Sequence, residues 1–168
     1  MNSVLSHKER GKWGKSNWQG NLSGYIYLDL FNQYFKNKKG SSFCDPMMGS
    51  GTGVECAKDF GIEHVFGLDL HSGFNILRDS IVERNGMEVD MCFSHPPYSH
   101  LSILYSGNVW GTEAHPDDLS HTVSIDDYNE KLHQALLNQR EATRNGKFYG
   151  CAIVMSARRG HITAFKVS

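Results

Sequence analysis

The stretch of residues 43–53, which reads FCDPMMGSGTG, constrains the fold more than any other part of the chain. A short apolar run ends at Asp45 and Pro46, three glycines then alternate with small hydroxyl residues, and a helical pattern follows until Gly61. Glycines let a ligand approach the backbone, and the start of a helix presents unpaired N–H groups. The pattern predicts a strand, a tight ligand-binding turn and a helix.

The order of residues in this turn discriminates between nucleotide ligands. A phosphate-binding P-loop requires lysine after its second glycine, and because Thr52 stands there we exclude that motif. A dinucleotide fingerprint requires glycine where Val54 stands, and an Asp-Pro opening is unusual for it. A carboxylate at the strand end suits a ligand that carries both an ammonium group and a nucleoside. S-adenosylmethionine is the third candidate, because Asp-Pro-x-x-Gly-Ser-Gly-Thr resembles the cofactor motif of the amino-methyltransferases. A glycine-rich surface turn without a ligand is the remaining alternative.

Size and composition predict one soluble domain spanning residues 1–168. The chain is long enough for a core, and its 39% hydrophobic and 21% charged residues are ordinary for a globular protein. No apolar run approaches the ~20 residues of a membrane span, and the basic N-terminus lacks the apolar segment of a signal peptide. The four cysteines include no C-x-x-C pair. We therefore expect a cytoplasmic protein with reduced cysteines, no zinc site and no membrane partner.

Charge is distributed unevenly, although the net charge is only −1. Residues 1–40 hold seven Lys or Arg against two acids, and residues 140–168 hold six against one. Residues 113–130 hold six acids. Basic ends that flank a groove are compatible with a nucleic-acid partner, but solvated faces also produce such runs. The charge pattern alone leaves both interpretations open.

A second strand is predicted over residues 63–69, and it ends at Asp69. This acid follows Asp45 by 24 residues. That is close to the ~20-residue spacing at which nucleotide-binding α/β folds place an acid on the ribose hydroxyls. A turn aspartate at a strand end is the alternative. Residues 76–78 read as a short third strand, and Asp79 either caps the helix that follows or contacts adenine.

Hydrophobic periodicity predicts the remaining elements. Residues 1–24 are irregular, but their tryptophans suggest that this segment packs on the domain, and Ser23 is a good N-cap for the amphipathic helix after it. Further elements are predicted as a strand around Met91, a loop over residues 99–127, a helix around Leu132 whose pattern is broken at Gly146, and a strand over residues 148–155. A loop of about thirty residues is long enough to be functional or mobile.

The second strong signal is the segment Ser-His-Pro-Pro-Tyr at residues 94–98. It directly follows the strand predicted around Met91, and its two prolines fix φ twice and remove two N–H donors. The carbonyls before and at Pro96 are thereby directed into a cleft beside the ring of Tyr98. A flat substrate that carries an amino group fits this arrangement. A proline-stiffened turn with a structural tyrosine is the alternative.

Together, the two segments resemble the motifs of the amino-methyltransferases that modify adenine N6 or cytosine N4 in DNA, whose catalytic motif is Asp/Asn/Ser-Pro-Pro followed by an aromatic residue. The chain looks like a phage- or mobile-element-type DNA adenine methylase over nearly its whole length, including residues 17–21, 67–75 and 106–120. The resemblance implies an α/β fold, namely a Rossmann-like S-adenosylmethionine-dependent methyltransferase sandwich with a mainly parallel sheet.

The resemblance also implies roles for individual residues. The catalytic residues would be His95, Pro96, Pro97 and Tyr98. The cofactor-binding residues would be Asn17, Gly20, Asn21, Asp45, Pro46, Gly49, Ser50, Gly51, Thr52, Asp69 and Asp79. Residues 1–24 would cover the cofactor, and the loop at 99–127 would lie near the target base. The partner would be double-stranded DNA whose adenine leaves the helix, and no metal would be required.

One position departs from the family motif, because His95 stands where Asp, Asn or Ser is usual. Neutral imidazole accepts an N–H hydrogen bond, whereas protonated imidazole cannot. With an ordinary pKa of about 6.5, this residue would lose its acceptor as the pH falls through that value. Methylation of cytosine N4 or of an RNA or protein amine, and a non-catalytic cofactor- or nucleic-acid-binding remnant, are therefore alternatives.

The end of the sequence raises a separate expectation. The sequence predicts five strands, and the methyltransferase fold usually carries seven, with the last two forming a hairpin. After Met155 only thirteen residues remain, and residues 162–167 read as one further strand or a helix start. We therefore expect an incompletely covered sheet edge near residues 149–167, with either a homodimer that covers it or a shortened, weakly active protein.

Overall fold

Four parallel strands flanked by helices form the framework of this α/β fold. The structure is a computed structural model that describes residues 7–98, 103–154 and 162–164. The helices are α1 (Gly24–Tyr34), α2 (Thr52–Phe60), α3 (Ile81–Asn85) and α4 (Ile125–Glu141). The strands are β1 (Ser42–Asp45), β2 (His64–Gly67), β3 (Val89–Ser94), β4 (Thr143–Val154) and β5 (Ile162–Ala164). Within the described residues, none of the helices is both long and apolar enough to cross a bilayer.

The strand order is β2-β1-β3-β4-β5. The first four strands are parallel, and β5 pairs antiparallel with the end of β4. From β1 the chain proceeds to β2 on one side and then returns to β3 on the other side. In open α/β sheets, ligands bind at such a reversal, outside the carboxyl ends of the strands.

The sheet is covered on both faces by alternating side chains of its strands. Phe43 and Met91 pack in the core cluster that contains residues of α1 and α2. Cys44 and Cys92 point the other way, into the cluster that contains Ile81 of α3 and Ala135 of α4. The period of two along each strand therefore produces a helix–sheet–helix sandwich. All four cysteines are buried and none is in a disulfide.

Helix boundaries follow the local signals closely. The hydroxyl of Ser23 accepts a hydrogen bond from Tyr25 N, as predicted for the N-cap of α1. Gly61 ends α2 in the left-handed conformation with φ of 94°. Ser80, rather than Asp79, caps α3 by accepting from Glu83 N.

The strand predicted over residues 76–78 is wrong, because this segment is a turn. The carbonyl of Asn75 accepts from the backbone N–H groups of both Arg78 and Asp79. The Asn75 side-chain oxygen also accepts from Leu77 N. An asparagine that closes a turn with its own backbone and side chain competes directly with strand pairing.

Strand β4 begins earlier than the sequence predicts. The pattern placed its start after Gly146, but the strand starts at Thr143. Gly146 has a positive φ of 74°, and the pairing register between β3 and β4 shifts between Val89 and Met91. Strand β4 therefore continues past Gly146 through an irregularly paired segment, and the glycine does not end the preceding element.

The far edge of β4 is partly paired. Residues 162–164 pair with residues 152–154, so β5 covers part of the edge that was expected to be open. The rest of that stretch, residues 155–161 and 165–168, lies outside the described residues. The homodimer remains a prediction.

The loop predicted over residues 99–127 is well anchored in its described part. It contains a turn at Tyr105–Val109, in which Ser106 and Gly107 are not helical, and a short 3-10 helix at Leu119–His121, and α4 begins at Ile125. The buried carboxylate of Asp118 accepts hydrogen bonds from the backbone N–H and hydroxyl of both Ser106 and Ser120, at 2.7–2.8 Å. One carboxylate thus holds two loop segments together on one side of the sheet's carboxyl edge.

Candidate functional site

A cleft opens at the carboxyl ends of β1, β2 and β3, where the chain reverses direction across the sheet. It encloses about 820 Å³, counting the part that is open to solvent. The walls come from the N-terminal segment, the glycine turn, the loop after β2, the turn after β3 and the loop before α4.

Most of the residues predicted to form a site line this cleft. From the cofactor set, the lining includes Gly20, Asn21, Pro46, Gly49, Ser50, Thr52 and Asp69. From the catalytic set, it includes His95, Pro96, Pro97 and Tyr98. Four predicted residues, Asn17, Asp45, Gly51 and Asp79, are not part of the lining of the cleft, as far as the structure describes it. Of these, Asn17 is exposed, and Asp79 accepts a hydrogen bond from Asn75 N within the turn.

The glycine turn is fixed to the end of β2. Gly49 has a positive φ of 49°, and its N–H donates to Asp69 Oδ2 at 2.9 Å. Met48 N donates to the carbonyl of Leu68 at 3.0 Å. Gly51 has φ of 85° and is the N-cap of α2, so the helix starts where the turn ends. The positive φ values explain why glycine is needed at these two positions.

Asp69 forms one wall of the cleft and is itself held in place by the backbone. Its Oδ1 accepts from His71 N at 2.9 Å, and its Oδ2 accepts from Gly49 N. Burial raises the pKa of this carboxyl, and the two backbone donors counteract that rise. Each carboxylate oxygen keeps a lone pair for a further donor, so Asp69 can accept hydrogen bonds from hydroxyl groups of a ligand.

Asp45 lies behind the cleft, not in its lining. The hydroxyl of Tyr27 donates to Asp45 Oδ2 at 3.0 Å, and Met47 N donates to Oδ1 at 3.2 Å. Burial raises the pKa of this carboxyl to about 7, against the lowering effect of these two donors. The sequence analysis did not identify Tyr27 as a site residue, because aromatic residues at helical spacing on α1 are typical of a helix face that packs in the core. The ring does lie in the core, and the residue also lines the cleft.

The N-terminal segment packs over the glycine turn, as its tryptophans suggested. The Trp13 ring is buried in the core and its Nε1 donates to Asp59 on α2. Asn21 Oδ1 accepts a hydrogen bond from the hydroxyl of Ser50. The Trp18 indole lies against Gly49. A methyl group placed on Gly49 would be only 3.1 Å from Trp18 Nε1, so the two residues are in close contact.

The turn after β3 brings the His95 ring and the Tyr98 hydroxyl into hydrogen-bond contact through His95 Nε2. Burial lowers the pKa of His95 to about 4, and a hydrogen bond with the backbone of Gly20 opposes this shift. The imidazole is therefore neutral at physiological pH. The carbonyl of Pro97 accepts from the Tyr128 hydroxyl at 3.1 Å, whereas the carbonyl of Pro96 receives no hydrogen bond from the described residues.

A buried polar pair supports this turn from below, and no sequence pattern predicted it. Gln139 of α4 is fully buried, and its Nε2 donates to the Ser94 hydroxyl at 2.8 Å. The two residues are 45 positions apart. The helical pattern marks Gln139 only as a residue on the inner face of α4, so its partner could not be identified from spacing.

Aromatic rings from the loop before α4 complete the cleft. The rings of His71 and Trp110 lie 5.1 Å apart, and those of Tyr105 and Trp110 lie 5.9 Å apart. The Tyr105 hydroxyl donates to the carbonyl of Gln19 at 3.2 Å, so the loop contacts the N-terminal segment across the cleft. The length of the loop indicated a functional role, but only the fold shows which rings reach the cleft.

Close packing under the glycine turn leads to a prediction for Gly53→Ala. Alanine in a helix interior ordinarily stabilises a protein by roughly 0.5–1 kcal/mol relative to glycine. Here the added methyl would lie 2.6 Å from Tyr27 Cε1 and 2.7 Å from Asp45 Oδ2. We expect the variant to be destabilised by roughly 1–3 kcal/mol, as for overpacked cores.

Urea unfolding measures this effect. Lys58→Ala, at an exposed position of the same helix, is the matched control and should stay within about 0.5 kcal/mol of the original protein. A Gly53→Ala protein as stable as the control would show that the contact between α2 and the Tyr27–Asp45 pair is looser than described.

Comparisons with protein-family models, with curated proteins and with solved structures find no match to this chain.

Proposed function

We propose that this chain is an S-adenosylmethionine-dependent methyltransferase that acts on an amino group of a nucleobase, most specifically adenine N6 in DNA. One observation carries the proposal. The glycine turn after β1, Asp69 after β2 and the His95–Tyr98 turn after β3 all line one cleft. The Rossmann-like methyltransferase sandwich expected from the sequence is part of this proposal.

The chemistry of the cleft fits the cofactor. Asp69 offers acceptor lone pairs for a pair of ribose hydroxyls, and Gly49 and Ser50 of the glycine turn line the same cleft beside it. Apolar side chains of Leu70, Phe74 and Ile76 continue the lining beyond Asp69 and suit a nucleobase. Asn21 of the N-terminal segment and Ser50 of the glycine turn, which are hydrogen-bonded to each other, also line the cleft and offer polar groups for the amino-acid part.

S-adenosylmethionine supplies an electrophilic methyl group when it is bound. The protein's task is to position the amine of the target and to direct its lone pair, which is otherwise delocalised into the purine ring. His95 and the carbonyl of Pro96 are the two acceptors in the turn for the amine hydrogens. With a pKa of about 4, the His95 ring is a hydrogen-bond acceptor and a weak base. The Tyr98 ring provides a surface on which an extruded base stacks.

A non-catalytic cofactor- or nucleic-acid-binding protein is the second candidate. The contact between His95 Nε2 and the Tyr98 hydroxyl favours it, because this contact occupies the acceptor that the target amine would use. Catalysis therefore requires the Tyr98 hydroxyl to leave His95 when the base enters. Methylation of cytosine N4, or of an RNA or protein amine, would use the same acceptors and is the alternative among enzymatic functions.

Transfer of a labelled methyl group from S-adenosylmethionine to DNA, RNA and protein in parallel reactions tests the proposal. We expect label in DNA, recovered as N6-methyladenine after digestion to nucleosides. Label recovered as N4-methylcytosine, or only in RNA or protein, would show that the protein methylates an amine other than adenine N6. Tight cofactor binding without transfer to any of the three would support the non-catalytic candidate.

The low pKa of His95 predicts the pH dependence of the reaction. Because the folded pKa of about 4 lies below the ordinary value near 6.5, the ring stays neutral as the pH falls through 6.5. The rate of the original protein relative to His95→Asn, which cannot titrate, should be constant from about pH 5.5 to 8. Single-turnover rates measure this ratio. A ratio that falls with a midpoint near 6.5 would show that the ring titrates as an exposed histidine does.

The same shift has a consequence for stability. Between about pH 6.5 and 4 the unfolded chain takes up a proton at His95 that the folded protein does not, so this residue makes the fold less stable as the pH falls through that window. His95→Asn should lack this contribution, which unfolding measurements at the two ends of the window would detect.

A further inference from the structure

Two Asn-Gly pairs occur in the chain, at residues 85–86 and at residues 145–146. In such a pair the backbone nitrogen of glycine can attack the side-chain carbonyl of asparagine, because the two groups are held close together and glycine has no side chain to obstruct them. The asparagine then loses its amide nitrogen. Because the reacting residues are the same in both pairs, the surroundings of each pair decide which one reacts.

The fold protects the first pair. Gly86 caps α3, and its backbone N–H donates to the carbonyl of Val82 at 2.8 Å. The carboxamide nitrogen and oxygen of Asn85 are both buried. Reaction at Asn85 therefore requires that the cap hydrogen bond breaks and that the carboxamide becomes accessible to water.

The second pair is open to solvent. Asn145 and Gly146 are both exposed, and Gly146 has φ of 74°. They belong to residues 144–147, which lie between Thr143 and Phe148, the residues that pair with β3 on either side of the irregular segment. Because the regular pairing register does not include Asn145 or Gly146, it does not oppose the local rotation that brings the nitrogen onto the carbonyl.

The charges beside the second pair favour the same reaction. Arg144 Nη1 lies 3.1 Å from Asp90 Oδ2, and Lys147 Nζ lies 3.3 Å from Asp90 Oδ1. The pair is therefore flanked in the chain by two cations that share one carboxylate. Attack requires the amide of Gly146 to lose its proton, and nearby positive charge favours the resulting anion.

We propose that Asn145 is a site of spontaneous deamidation in the folded protein. The deprotonated nitrogen of Gly146 bonds to Cγ of Asn145, the bond from Cγ to the side-chain nitrogen breaks, and that nitrogen takes up a proton and leaves as ammonia. Water then opens the cyclic succinimide. Attack of water at Cγ gives aspartate, and attack at the main-chain carbonyl gives isoaspartate, so water is the only co-reactant.

Peptide mass spectrometry of the folded protein, after incubation at mildly alkaline pH, tests the proposal. Exchange of –NH₂ for –OH raises the mass of the modified peptide, and both pairs are followed in the same digest. We expect product at Asn145 to accumulate roughly tenfold faster or more than at Asn85, because reaction at Asn85 first requires loss of a buried hydrogen bond. Equal rates, a faster reaction at Asn85 or no product at Asn145 would overturn the proposal.

The unfolded chain is the control for the role of the fold. In guanidinium chloride both pairs are accessible, so their rates should agree within about threefold. An unfolded chain that keeps the preference of the folded protein would show that neighbouring sequence, and not structure, selects Asn145. Asn145→Gln, whose longer side chain closes a ring less readily, should lose the reaction at this position and leave the rate at Asn85 unchanged.

Two further observations test the succinimide route. The rate should rise with pH, because the attacking nitrogen must first lose its proton. The product should contain isoaspartate beside aspartate, and an isoaspartate-specific enzymatic assay detects it. Aspartate alone, or a rate that does not depend on pH, would show direct hydrolysis of the side chain and overturn the ring intermediate.

The modification lies far from the chemistry of the proposed function and does not depend on it. Asn145 belongs to the beginning of β4, whereas the cleft lies at the carboxyl ends of the parallel strands. Deamidation observed in a protein that transfers no methyl group would support this inference and reject the activity. An active protein whose Asn145 stays intact would do the reverse.

Discussion

Replacing Asp69 with alanine is expected to weaken the binding of S-adenosylmethionine by roughly ten- to hundredfold. The reason is that hydrogen bonds to a carboxylate contribute ~1.5–3 kcal/mol, and the variant removes the acceptor proposed for the ribose hydroxyls. The substitution also frees the N–H groups of Gly49 and His71, both of which Asp69 holds. Part of the loss will therefore come from a less ordered glycine turn.

Calorimetry with two comparison variants separates these contributions. Asp69→Asn keeps one carboxamide oxygen and should lose less affinity than Asp69→Ala. Glu130→Ala, at an exposed position of α4, should bind as the original protein does. If Asp69→Ala retains full affinity for the cofactor, Asp69 has no ribose role and the cleft binds its ligand differently.

Truncating Tyr98 to alanine is expected to lower kcat/KM for methyl transfer to DNA by roughly ten- to hundredfold. Stacking of a base on an aromatic ring contributes ~1–3 kcal/mol, and an extruded adenine would lose that surface. Cofactor affinity should change much less, because the proposed contacts of the ring are with the target. Steady-state kinetics together with calorimetry measure the two effects separately.

Tyr98→Phe is the informative control for this prediction. It keeps the ring and removes the hydroxyl that contacts His95 Nε2. Since that contact competes with the target amine for the same acceptor, we expect the phenylalanine variant to be at least as active as the original protein. A Tyr98→Phe protein as impaired as Tyr98→Ala would show that the hydroxyl, and not the stacking surface, is what the reaction needs.

The parts of the site that the sequence revealed are those whose chemistry is local. Gly49 and Gly51 indicate a tight turn, because only glycine readily adopts their positive φ values. Pro96 and Pro97 indicate a stiff turn, since the ring of proline fixes φ. Asp69 was found by its distance along the chain from the first strand, because a βαβ unit has a nearly constant length.

The parts that sequence reasoning missed depend on partners far apart in the chain. The Ser94–Gln139 and Tyr27–Asp45 hydrogen bonds join residues 45 and 18 positions apart, and each of the four residues has an ordinary explanation by itself. Asp117 was visible only as one acid in a polar stretch. Its contact with Asn75, 42 positions away, depends on how the loop before α4 folds back.

The errors in secondary structure have the same origin. The turn at residues 76–78 was predicted to be a strand because its apolar residues are typical of one. The hydrogen bonds of Asn75 that close the turn cannot be predicted from the composition of the segment. Gly146 was interpreted as the end of an element, whereas strand β4 continues past it and pairs with β3 on both sides of an irregular segment. In both cases a specific hydrogen-bond partner decided between two conformations that the local sequence allows.

The central claim is that one cleft binds the cofactor beside the turn that receives the target amine. A crystal structure of the protein with S-adenosylhomocysteine tests it most directly. We predict ribose hydroxyls within about 2.6–3.2 Å of the Asp69 carboxylate, and the sulfur facing the His95–Tyr98 turn. A ligand bound elsewhere, or one in this cleft with its sulfur turned away from His95, would contradict the account.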